Sequence, residues 1–445
     1  MCYNVKYRKI GLRGDKVADK KRIVWIDQLR GLAFYFVVLG HMAVSGDFEA
    51  WIYSFHMPLF FIISGFNLNF DRMKETGFKD YISHIVVRML VPYLWLQFIA
   101  LGLKYAISGG LIRVPKYLLG IITGNSFVVS APSNPLYFVL LLFSAQLLIF
   151  LLVKLTGGNK GMVFAVILAL TAIPVLTDSK PAVWHINVVP TAMLFMLIGR
   201  FFMDCYISGG KLLRRIKLPL YIIICVLLLV AGGALGVSNG RASIHANGFG
   251  EEYIIFVISA TLTSMGFALL VMLLPSTKLF NFIGMNTIFL LGIHEPLLIF
   301  TQKLFPVAWE KWWFVAIASV VCYLLPVPVA WILNKAAPYI CAMAPKESNL
   351  LIKISKFVAL ALVLLAPYIS FTRTAFGGAL SSGGGMTALA IAIFALVVVG
   401  LERLFTLLLP FFFLENKKEK KIEQHKKASV YEDDDIMIIM PVEEV

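Results

Sequence analysis

The chain has 445 residues, 59% of them hydrophobic and only 15% charged, and its apolar residues run in blocks too long for the core helices of a water-soluble domain. The net charge of +15 invites a nucleic-acid reading. The forty Lys and Arg, however, concentrate in segments that share one side of a membrane once the N-terminus is placed in the cytoplasm, so the charge reads as the positive-inside pattern and no nucleic acid is expected as a partner.

About twelve windows reach the roughly 20 apolar residues that a span requires. They are 23–44, 51–70, 88–107, 136–155, 161–177, 182–203, 217–237, 254–274, 280–301, 312–333, 351–371 and 386–412. The expected fold is all-α, a polytopic transmembrane helix bundle of about ten core helices over 23–335, with about two more spans in 336–414. A basic leader, residues 1–22, precedes the core, and a charge run beginning "ENKKEKKIEQ" occupies 415–445. Both ends are expected in the cytoplasm, solvated or against anionic lipid, in a multi-pass protein of the plasma membrane whose first helix is retained.

The first window carries Asp27 and Arg30, neighbours at i, i+3 that can neutralise each other. His41 stands eleven residues beyond Arg30, which returns it to within about 20° of the same face and about 16 Å further along the axis. A polar stripe of this kind is costly in lipid and normally faces a bundle interior or a watery cavity. The plainer alternatives are an Arg30 that snorkels to cytoplasmic phosphates and a His41 at the interface.

The second window begins "FHMPLFFIISGF", with His56, Pro58, the small pair Ser64-Gly65 suited to close helix approach, and Asn67 on the stripe of His56. In the ninth window Thr287 and His294 are seven apart and share a face, and Glu295-Pro296 follows. Of the seven histidines, His41, His56, His185, His245 and His294 fall on or toward the outer half. The outer segments 108–135 and 238–253 are too short for a domain, so chemistry is expected within or at the edge of the bundle. Neither the five Cys nor the His spacings suggest a metal site or a disulfide frame.

Histidine can take a proton from a hydroxyl and return it at neutral pH. Acyl transfer from a thioester to an alcohol needs that step, a cation or dipole for the developing oxyanion, and a route for the donor. His41 is then the candidate base, His294 or His56 assists it, and Arg30 holds donor phosphate. No cofactor is expected to stay bound, since acetyl-CoA or another acyl-CoA is consumed as substrate. Intramembrane Arg, Asp and His also mark transport paths, so a transporter or flippase of an envelope precursor stands as the alternative.

"IDQLRGLAFYFVVLGH" (26–41) with "FHMPLFFIISGF" resembles the opening of the membrane acyltransferase-3 family, whose signature is an Arg and a His separated by ten residues. "NPLYFVLLLF" (134–143), with Tyr137 in place of Trp, "PTAMLFMLIGRFF" (190–202) and "MNTIFLLGIHEP" (285–296) are similar to three later motifs of that family. In the last, Thr287 stands for the usual serine and a leucine for the tyrosine before the histidine. The resemblance covers about residues 22–335. It implies an integral membrane enzyme that moves an acyl group, usually acetyl from cytoplasmic acetyl-CoA, to a hydroxyl of a carbohydrate or another cell-envelope molecule outside. Arg30 and His41 inherit the essential pair and His294 the late histidine. The His-Met-Pro form points to the fucose and polysaccharide O-acetylase-like branch.

Overall fold

A computed structural model describes residues 23–42, 45–108, 114–124, 131–176, 182–213 and 216–342. The leader, the two windows past 350 and the charged tail lie outside the described residues. Each of the ten apolar windows up to 333 is helical: α1 (Val24–Gly40), α2 (Gly46–Gly65), α3 (Phe78–Ile107), α4 (Asn134–Leu155), α5 (Lys160–Leu176), α6 (Val183–Ser208), α7 (Leu218–Ser238), α8 (Tyr253–Leu273), α9 (Lys278–Met285) with α10 (Thr287–Leu304), and α11 (Trp312–Ala336). Six of them are long and apolar enough to cross a membrane, or seven if α9 and α10 count as one span. The protein is an all-α membrane protein, and the only strands among the described residues form one short hairpin.

Three expected boundaries change. The second helix runs Gly46–Gly65 and not 51–70, so Asn67 lies in the turn after α2 and does not extend the helical stripe of His56. The third helix begins at Phe78, not at 88, and a π-helical turn at Val86–Leu90 carries it into the apolar stretch, so Arg88 lies inside a span. The ninth window is not one straight span: α9 and α10 meet at 85°. The break has a local cause at Asn286, whose φ of −103° and ψ of 17° leave the helical region. Its side-chain amide donates to the carbonyl of Phe282 at 2.8 Å, and the Thr287 hydroxyl donates to that of Gly284 at 2.7 Å. Side-chain donors thereby compete with the backbone for carbonyls at the end of α9, where Phe282 O also accepts from the Asn286 N–H at 3.2 Å. Two prolines, by contrast, break nothing: Pro58 lies within α2 and Pro296 within α10.

Two backbone approaches fix the helices that matter for the site. Gly284 of α9 sits so close to α1 that a Cβ there would overlap the carbonyl of Asp27. Gly65 and Gly199 play the same part between α2 and α6, each lying against the other helix's backbone, at Met196 and Ile62. Small residues permit this packing where lipid offers no hydrophobic drive. Phe36, Trp51, Phe55 and Phe267 also join α1, α2 and α8, with ring centroids 4.9 to 6.5 Å apart, a spacing typical of favourable aromatic pairs.

The 238–253 segment folds over one end of the bundle. Ala242 pairs with Phe249 and Ser243 with Gly248, antiparallel. Asn239 holds both ends of this hairpin: its amide donates to Phe249 O at 2.7 Å and its carbonyl oxygen accepts from the Glu252 N–H at 2.8 Å.

Candidate active site

Among the described residues, two of the cavities in the bundle divide the polar residues singled out from sequence. The first, about 170 Å³, is lined by Arg30, Ser64, Asn67 and Thr287 together with Arg88 and Gln146. The second, about 370 Å³, is lined by His41 and His56 together with Tyr53, Tyr137, Arg241, His245 and Glu295. Asp27 and His294 line neither. Each stands behind a residue that does.

Asp27 is buried and accepts from the Arg30 guanidinium at 3.2 Å. The pair at i, i+3 therefore forms, and it fixes the Arg30 fork at the cavity wall. Because the helix breaks at Asn286, the first turn of α10 also faces this cavity, through Thr287 and Ile288. A helix N-terminus beside Arg30 and Arg88 makes the surroundings favourable to an anion. Ser64 donates to the carbonyl of Phe60 at 2.8 Å. Cys341 also lines this cavity, but burial pushes its thiol up to about 12, so it carries almost no thiolate at neutral pH and is a poor nucleophile.

The three histidines share one arrangement. His41 Nδ1 lies 2.8 Å from the carbonyl of Val37, His56 Nδ1 2.8 Å from that of Ile52, and His294 Nδ1 2.9 Å from that of Leu291. A carbonyl only accepts, so Nδ1 carries the proton in each, and in the neutral ring Nε2 keeps a lone pair. His41 follows the last residue of α1 and is exposed to the larger cavity. Behind it the ring of His294, fully buried, meets it edge-on at 5.1 Å, and its Nε2 finds no hydrogen-bond partner among the described residues.

Several lining residues carry chemistry that sequence reasoning gave no role. Glu295, next to His294, accepts from the backbone N–H of Asn134 at 2.6 Å and from its side-chain amide at 2.7 Å, with Lys104 at 3.8 Å. It thereby ties α10 to the start of α4. Arg241 donates to Glu49 at 2.7 Å and stacks on the Tyr53 ring at 4.3 Å. Burial works against its charge, but the Tyr53 hydroxyl and the Glu49 carboxylate outweigh it and hold the guanidinium above its ordinary pKa. His245 packs against Tyr137 and His185, each pair of centroids 4.8 Å apart. His185 reaches that position in the left-handed region, φ 53°, with its ring nitrogens 3.1 and 2.9 Å from the carbonyls of His245 and Gly124. The only available signals were a histidine and an arginine in a short loop and an acid beside His294, and none of these specifies a partner.

A family model described as "Acyltransferase domain", that of the acyltransferase-3 family, matches residues 23–331. The chain belongs to this family. The matched stretch contains α1 to α10, all the lining residues of the His41 cavity and all those of the Arg30 cavity except Cys341 and Ala342, and it ends within α11. Comparisons with curated proteins and with solved structures gave no match. Membership makes the protein a membrane acyltransferase.

Proposed function

We propose that this acyltransferase takes an acyl group, acetyl in the first place, from cytoplasmic acyl-CoA and places it on a hydroxyl of a carbohydrate or another envelope molecule outside the plasma membrane. The carrying observation is the Nδ1 bond of His41 to Val37 O at 2.8 Å, which leaves a basic Nε2 at the wall of the larger cavity. In this reading both termini are cytoplasmic, the Arg30 cavity faces the cytoplasm and the His41 cavity faces outward.

Donor phosphate binds at Arg30, with Arg88 and the first turn of α10 adding positive potential. Ser64, Asn67 and Thr287 line the path of the pantetheine arm. Arg30 and His41 are separated by about 16 Å of helix rise, a length such an arm can cover. The acceptor hydroxyl gives its proton to His41 Nε2 while its oxygen attacks the thioester carbonyl. Collapse of the tetrahedral intermediate breaks the carbon–sulfur bond, and the leaving thiolate recovers the proton from the imidazolium, so that free CoA and the O-acyl product result. His294 backs the His41 ring, and His56 lies on the same wall as a second imidazole. The His-Met-Pro motif at His56 favours a sugar or polysaccharide acceptor.

Mass analysis of envelope glycans from cells with and without the protein tests the proposal. Loss of an acetyl or other acyl mass supports it. Unchanged masses with less surface polymer would point to export instead.

A further inference from the structure

One side chain is a wall of both cavities: Leu291 of α10. Along that helix Thr287 lines the Arg30 cavity, Leu291 lines both, and Glu295 lines the His41 cavity. The three are four residues apart, so they stack on one face at about 6 Å intervals. Leu291 is only 2% exposed, and the two cavities are separate. A donor arm that starts at Arg30 and ends beside His41 has to pass this point.

The neighbours of Leu291 differ in how readily they can yield. On the Arg30 side Phe60 and Phe138 line the wall, and their rings are packed at 5.5 Å from one another, with Phe61 at 5.0 Å from Phe138. The backbone under Leu291 is also held, since its carbonyl accepts from His294 Nδ1. The Leu291 isobutyl group stands at the junction of the two cavities and can change rotamer without moving the helix.

We infer that Leu291 is the gate between the two cavities and sets the largest acyl group that passes. The inference rests on the acyl-transfer reading above. The acyl group leads the arm through the membrane, so the width opened by one leucine limits the acyl chain before any chemistry begins. With the gate shut, water from the larger cavity is kept from a thioester waiting below.

Inside-out membrane vesicles from producing cells present the Arg30 cavity to added acyl-CoA and carry their own acceptor. Thiol release is measured with acetyl-, butyryl- and hexanoyl-CoA. Leu291→Ala should raise the butyryl-to-acetyl rate ratio about tenfold, the discrimination expected of one or two methylenes in an apolar site, and should raise thiol release from acetyl-CoA after the acceptor is exhausted. Leu291→Val should give a smaller rise and decides the matter if the Ala variant does not accumulate. Leu291→Trp should stop release while acetyl-CoA still shifts the thermal midpoint of the purified protein. An unchanged rate ratio in an Ala or Val variant that accumulates normally overturns the gate and leaves acyl transfer standing. No thiol release by wild-type vesicles above vesicles lacking the protein overturns the transfer reading, and the gate with it.

Discussion

At the scale of single residues, the tautomer at His41 makes the sharpest claim. If Nε2 is the base, His41→Ala should lower transfer by roughly 10²–10⁴-fold with little change in thermal midpoint, because the ring is exposed to a cavity and contributes little packing. Glycan acylation in cells carrying equal amounts of both proteins measures it, and full activity of the variant would remove His41 from the mechanism. Arg30→Lys replaces a planar fork, already held by Asp27 at 3.2 Å, with a point charge. The donor KM should rise about tenfold with kcat less affected, the signature of lost ground-state binding. The polar residues themselves were legible in the sequence because each stands out against an apolar stretch that should not contain it. Their division between two cavities was not, since it depends on which distant segments pack together, as Glu295 does with Asn134 and Arg241 with Glu49 and Tyr53.

The helices were legible as apolar windows, and their breaks were not. Hydropathy cannot separate one span from two shorter helices at 85°, and two residues expected to break helices, Pro58 and Pro296, sit inside continuous ones because side chains and neighbouring helices can satisfy the freed backbone groups. The decisive feature is instead an amide and a hydroxyl, Asn286 and Thr287, donating to the carbonyls of Phe282 and Gly284 about one turn back. The break in turn depends on α9 crossing α1 at Gly284. Gly284→Ala places a methyl group on the carbonyl of Asp27, an overpacking that should cost about 1–3 kcal/mol. A lowered thermal midpoint in detergent and weaker donor binding are the expected results, because Arg30 is one turn away on the displaced helix. Gly102→Ala is the control: nothing lies within 4 Å of a Cβ there, and its midpoint should hold or rise.

For the whole molecule, the charge asymmetry of the sequence and the two cavities make one joint demand. If the Lys and Arg distribution sets orientation, the cavity lined by Arg30, Arg88 and Asn67 must open to the cytoplasm and the hairpin over His41 must stand outside. The two ends can be told apart chemically. Cys205 is exposed in the last turn of α6, at the end expected on the cytoplasmic side, and Ser243 lines the His41 cavity from the hairpin. In intact cells a membrane-impermeant maleimide should label Ser243→Cys, made together with Cys2→Ser and Cys205→Ser, and should leave Cys205 of a Cys2→Ser chain untouched until the membrane is opened. Asn67→Cys, made together with Cys2→Ser and Cys205→Ser, should behave as Cys205 does. The reverse pattern would put the His41 cavity in the cytoplasm, where donor and acceptor would meet on one side. A transmembrane pass for the acyl group would then have no purpose, however well His41 performed as a base.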